Sequence, residues 1–186
     1  MTSGPQPDAC LPPQEYARGG RQARDSQWLA YVTRQGPPDN GRALLIDERF
    51  VQGVSQFNAG NYYEAHESFE AVWGAYPYPE RLFSQALTKI AAALVHAGRA
   101  NYVGARRLAS AGLALLLPFA PRFAGLDVRK FAKDVQALSE SAGKGEASNN
   151  VVTLKSQLVS QQPLSSKLSS RPLHPPIDPS RRLGHR

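Results

Sequence analysis

Between residues 41 and 138 the chain is cut by helix breakers at short, regular intervals. This spacing restricts the fold more than any other feature. Asn58-Ala59-Gly60-Asn61, Ala75-Tyr76-Pro77-Tyr78-Pro79, Arg99-Ala100-Asn101 and the Pro118/Pro121 pair separate segments whose apolar residues recur every three or four positions. That period belongs to amphipathic helices and not to strands. The connections are short, so successive helices must fold back on one another. The pattern predicts five helices, at about 43–59, 62–74, 80–98, 102–117 and 127–139. Gly60 suits the left-handed conformation that ends a helix, Asn61 suits the cap that begins the next, and Pro118 stops the fourth. The expected class is all-α: a compact bundle of about five helices built from antiparallel helix hairpins, with disordered N- and C-terminal tails.

Composition sets the boundaries. Hydrophobic residues make up 41% of the 186-residue chain, and Pro, Ser, Gln and Gly concentrate in residues 1–40 and 139–186. The segments 1–40, 41–138 and 139–186 carry net charges of zero, +3 and +4. Residues 1–40 are expected to be mostly disordered, with a short helix over 21–34 that carries Trp28, Leu29, Tyr31 and Val32. Residues 41–139 form the helical domain. Residues 140–186 form a disordered, basic Ser/Pro-rich tail, which includes the weakly amphipathic stretch 151–158. The tail can solubilise the chain or hold nucleic acid loosely through counterion release, but no nucleic-acid-binding motif accompanies it. Cys10 is the single cysteine, so no internal disulfide can form and no CxxC pair suggests a metal. No apolar run approaches the ~20 residues of a membrane span. The first residues lack a secretory pattern, which points to the cytoplasm; Arg18, Arg21 and Arg24 leave organellar import as the alternative.

The domain contains a faint internal repeat. Asn61-Tyr62-x-x-Ala65 recurs forty residues later as Asn101-Tyr102-x-x-Ala105. Helix pairs with such a period are tetratricopeptide-like in plan.

The second helix carries the most unusual residues, in the string YEAHESFEAVW. On a helical wheel of about 100° per residue, Tyr62, Phe69 and Trp73 define the expected buried centre, flanked by Ala65 and Val72. His66 falls on the edge of that stripe, with Glu70 beside it at i+4 and with Tyr63 and Glu67 beyond. The third helix has an apolar face of Phe83, Leu87, Ile90 and Leu94, and a separate stripe of Gln85, Lys89, Ala92 and His96. In an antiparallel hairpin the two polar stripes can converge.

These residues resemble a known family. Phe57-Asn58-x-Gly60-x-x-Tyr63-Glu64-Ala65-His66-Glu67-x-x-Glu70-x-x-Trp73 is similar to the signature helix of the small helical proteins catalogued as domain of unknown function 309. Gln85-x-Leu87-x-x-x-Ala91-Ala92-Ala93-x-x-His96 and Asn101-x-x-Gly104-Ala105-x-x-Leu108 continue the likeness, which spans roughly residues 44–117. The family pattern usually has a second Gln where this chain has Lys89. The resemblance implies an all-helical fold and no established activity.

Three readings of the cluster follow. In the first, His66, Glu67, Glu70, Tyr63, Gln85, Lys89 and His96 line a binding pocket. There His66, Glu70 and His96 can ligate a divalent metal, and Glu67 can serve as a general base of a metal-dependent or acid/base enzyme. No cofactor is otherwise indicated. In the second, the domain is an interaction module for a protein or peptide, with Tyr62, Tyr63, Tyr76, Tyr78, Arg99, Arg106 and Arg107 as contact area. In the third, the polar groups form a buried, paired network that fixes helix register. His66-Glu67-x-x-Glu70 lacks the second His of a zinc protease, and no Glu precedes His66 or His96 by three residues as a ferritin-like centre requires. Binding is the expected role, and a membrane partner is not expected.

Overall fold

The structure, a computed structural model of the chain, describes residues 21–37, 40–145 and 152. The described helices are α1 (Arg21–Gln35), α2 (Arg42–Leu45), α3 (Glu48–Asn58), α4 (Tyr62–Ala75), α5 (Glu80–Gly98), α6 (Tyr102–Leu116) and α7 (Val128–Gly143). Between α6 and α7 come a 3-10 turn at Leu117–Phe119 and a small hairpin, β1 (Arg122–Phe123) and β2 (Leu126–Asp127).

The all-α plan holds, and α5 is its axis. Eleven of its nineteen residues are buried, too many for a helix with one apolar stripe and a solvent face. Such a helix needs neighbours on both sides, and α4 and α6 supply them. The series extends outwards, with α3 against α4 and α7 against α6. Sequence neighbours are therefore spatial neighbours, as short connections dictate. The approach of α6 to α5 depends on a missing side chain: a Cβ at Gly112 would lie 2.6 Å from Ile90 Cγ1. Phenylalanine rings fill the core, with Phe83, Phe119 and Phe123 centred 4.7–5.2 Å from one another.

Four details differ from the sequence pattern. The helix expected over 43–59 is two helices, because Asp47 caps rather than continues. Its Oδ1 accepts from the backbone N–H groups of Arg49 and Phe50, at 2.9 and 3.3 Å. Its Oδ2 pairs with the Arg49 guanidinium at 2.6 Å. The Arg49 hydrogen bond holds the Asp47 carboxyl down at about 2, with Tyr76 and the two backbone donors adding to it against the opposing cost of burial.

The second detail is the hairpin. Arg122 pairs with Asp127 and Phe123 with Leu126, so Ala124-Gly125 forms a two-residue turn. Both turn residues have positive φ, 46° and 69°, the twist that tight hairpins prefer. An Ala in that position hides the turn from a sequence reading that relies on Asn-Gly or Asp-Gly.

The third detail concerns α1. The expected domain start at residue 41 leaves α1 outside, yet Trp28 and Val32 are each 1% exposed and belong to the common core. Trp28 stacks on Tyr78 with ring centroids 5.3 Å apart, and the Tyr78 hydroxyl donates to the Asp25 carboxylate. Burial, reinforced by that carboxylate, pushes the Tyr78 hydroxyl above its ordinary pKa.

Finally, α7 continues past Ser139 to Gly143, and Val152 adds to the core with 1% exposure. The disorder expected of residues 1–20 and of the tail, including the rest of 151–158, lies outside the described residues. Among the described residues no helix is long and apolar enough to cross a membrane.

Candidate functional site

α4 begins at Tyr62 and buries Ala65, Phe69 and Val72 completely. Trp73 is only half-buried, with the Arg81 guanidinium 5.6 Å from the centre of its ring. The buried stripe is thus rotated toward Ala65 and Val72 from the position that centred it on Tyr62, Phe69 and Trp73. The cause is that α4 packs against two helices, α3 and α5, and needs both flanks of the stripe.

That rotation moves His66 outwards and carries its carboxylates further. The His66 side chain is 26% exposed, Glu67 56% and Glu70 51%. His66 Nδ1 lies 3.1 Å from a Glu67 carboxylate oxygen and 4.0 Å from one of Glu70. One donor atom from each of the three falls within 4.8 Å of the others. The tautomer that carries its proton on Nδ1 donates to Glu67 and leaves the Nε2 lone pair for another partner. Tyr63, one turn earlier, is 57% exposed.

His96 has a different environment. It sits in the last turn of α5, and its Nδ1 is 2.8 Å from Asn101 Nδ2. Asn101 in turn accepts the backbone N–H of Gly104 on its Oδ1, at 3.0 Å, and so caps α6. A Cβ at Gly104 would come within 2.8 Å of Asn101 Nδ2 and 2.9 Å of His96 Nδ1. His96, Asn101 and Gly104 form one three-part corner joining α5 to α6. If Nδ1 accepts from the Asn101 amide, the ring carries its proton on Nε2.

The structure therefore groups His66, Glu67 and Glu70, whereas the metal set expected from the sequence was His66, Glu70 and His96. The two imidazoles have separate polar partners because His96 is engaged at the α5–α6 corner. Gln85 and Lys89 are half-buried on α5. The buried paired network expected as one alternative is not what α4 carries, since the Glu67 and Glu70 side chains are more than half exposed.

The expected aromatic contact area also contracts. Tyr62 packs edge-on against Phe57 at 5.3 Å, Tyr76 donates to the Ala43 carbonyl at 3.3 Å, and Tyr78 is held by Trp28 and Asp25. These three serve packing, and Tyr63 alone of the four is largely exposed. Sequence reasoning also missed Asn101 as a side-chain partner of His96. The signal was present as Asn-x-x-Gly, a cap followed by a residue without a side chain.

Residues 50–108 match the model of a family described as Domain of unknown function (DUF309). The match supports the likeness seen in the sequence and covers both the α4 face and the His96 corner. No curated protein and no solved structure matches the chain.

Proposed function

We propose that this chain, whose residues 50–108 carry the DUF309 domain, is a binding module that meets its partner through the exposed face of α4. The observation that carries this reading is the exposure of His66, Glu67 and Glu70 in one tight group. A surface pair of this kind contributes only a few tenths of a kcal/mol to the helix, so the fold has little need of it. With neutral imidazole the face is doubly negative, and Tyr63 adds an aromatic edge. This chemistry suits a cationic segment of a protein or peptide. The engagement of His96 by Asn101, apart from the partners of His66, favours binding over an acid/base enzyme drawn from all four residues.

The test uses the full chain as bait for a partner. Glu67→Gln with Glu70→Gln, and separately Tyr63→Ala, are expected to release the partner with the melting temperature unchanged. Retention of the partner by both variants overturns the reading.

A second reading rests on the 4.8 Å grouping itself. His and a carboxylate at i,i+4 can reach one ion, and Glu67 is at hand to ligate or to orient the imidazole. Untagged protein that carries stoichiometric zinc, iron or manganese, lost in His66→Ala, would support a metal; absence of metal after dialysis against each ion removes this reading.

A further inference from the structure

A cleft of about 460 Å³ opens between α6 and α7, lined by Arg106, Ser110, Ser139, Glu140, Gly143 and Lys144. Its size is that of a small-molecule site. Its lining carries two cations, two hydroxyls, one carboxylate and a glycine backbone, set among the aliphatic stems of the longer side chains. Arg106 lies alongside that backbone, since a Cβ at Gly143 would sit 3.5 Å from the guanidinium Nε. The two hydroxyls are already mutually oriented, with Ser110 Oγ 3.2 Å from Ser139 Oγ across the helix pair. Glu140 is tied back along its own helix, where its carboxylate accepts from Gln136 Nε2 at 3.0 Å.

The ion pairs among the described residues join Arg49 to Asp47, His66 to its two glutamates and Lys130 to Asp134. Arg106 and Lys144 belong to none of them, although they share one concave surface. Two cations that no carboxylate meets at ion-pair distance, beside two hydroxyls and with one carboxylate further along the lining, are a donor set that suits a phosphate dianion. The remaining lining group, Glu140, accepts hydrogen bonds and suits the hydroxyls of the body that carries the phosphate. The lining has no aromatic ring on which a base could stack, which disfavours nucleotides and single-stranded nucleic acid.

From this combination we infer that the α6–α7 cleft binds the phosphate monoester of a small polyol or sugar, with Arg106 and Lys144 on the phosphate and Glu140 on the hydroxyls. The site is separate from the α4 face and stands or falls independently of it.

Backbone amide spectra of the full chain test the inference, with glucose 6-phosphate, inorganic phosphate and glucose as probes. The sugar phosphate is expected to give saturable shifts at Ser110, Ser139, Gly143 and Lys144, with inorganic phosphate weaker and glucose silent. Arg106→Gln is expected to weaken the sugar phosphate by about tenfold or more, the loss of one charge-assisted contact. Glu140→Gln is expected to erase its advantage over inorganic phosphate. Both positions are exposed, and an unchanged melting temperature shows that the variants fold. No saturable shift up to about 10 mM, or equal shifts in Arg106→Gln, overturns the site. Equal affinity for sugar phosphate and inorganic phosphate overturns the role of Glu140. Tighter binding of a phosphoserine peptide overturns the small-molecule assignment.

Discussion

The corner between α3 and α4 and the corner between α5 and α6 are built on one backbone pattern forty residues apart. In the first, Asn61 N–H donates to the Gln56 carbonyl at 2.9 Å; in the second, Asn101 N–H donates to the His96 carbonyl at 2.9 Å. Each corner places a positive-φ residue just before its asparagine, Gly60 at 83° and Ala100 at 55°. The side chains then diverge. Asn101 caps α6 and binds His96, whereas Asn61 makes no side-chain cap. Position 104 is Gly, and its counterpart is Glu64. The second corner uses its polar groups to hold two helices together, while the helix after the first keeps its imidazole at the edge of the core and leaves its carboxylates facing solvent. One of two similar imidazoles is thus structural and the other is available. The repeat also relates the two proposed sites, because His66 and Glu70 on α4 correspond to Arg106 and Ser110 on α6.

The largest expected effects test this division. Gly104→Ala drives a Cβ into both Asn101 and His96 and is expected to cost about 1–3 kcal/mol. Glu64→Ala at the matching position is exposed and should change stability by no more than about 0.5 kcal/mol. Urea unfolding of the two variants gives both numbers, and equal costs would dissolve the contrast. Asn101→Ala removes a cap and strands His96, for about 1–2 kcal/mol, against a few tenths for Asn61→Ala.

Much of the helical order was legible in the sequence because it rests on local physics. Glycine, proline and asparagine mark the ends of α4, α5 and α6 without help from tertiary contacts. The exceptions are instructive. Asp47 reads as one polar residue inside an apolar pattern, and only its donors reveal it as the start of α3. Trp28 lies across a Pro/Gly-rich linker, and only Tyr78 shows that it belongs to the core. The composition of the α4 cluster was readable, but its direction was not. A wheel gives angles about one axis, and the direction of solvent depends on how many helices press on that axis. The partner of His96 was hidden for the same reason: Asn101, 2.8 Å from its Nδ1, begins the next helix.

Acid titration offers a smaller effect at the start of the same hairpin. Asp47 is held at about 2 when folded, below its ordinary 3.8. A depressed carboxyl stabilises the fold fully above the ordinary value, and that contribution is lost as pH falls from about 4 toward 2. The Asp47 side chain is 8% exposed but its partner Arg49 is 46% exposed, so screening reduces the expected loss to about 1 kcal/mol. Asp47→Asn should flatten this acid limb and leave the neutral-to-alkaline range parallel to the parent. An unchanged acid limb would mean that the Asp47–Arg49 pair does not hold the carboxyl down in the folded chain.

The smallest effect isolates the shared backbone from the divergent side chains. Gly60 has no atom within 4 Å of where a Cβ would stand, so Gly60→Ala changes conformational preference and little else. At φ 83° the substitution is expected to cost about 1 kcal/mol. Ala100 already bears that strain, at φ 55° and exposed to solvent. Ala100→Gly relieves the strain but also frees the unfolded chain, and the two effects oppose each other. The net expectation is a gain of about 0.5 kcal/mol, read as a rise in the urea midpoint with an unchanged slope. If Ala100→Gly lowers the midpoint, the left-handed residue is not a common requirement of the two corners. The forty-residue repeat would then be a likeness of sequence without a likeness of mechanics.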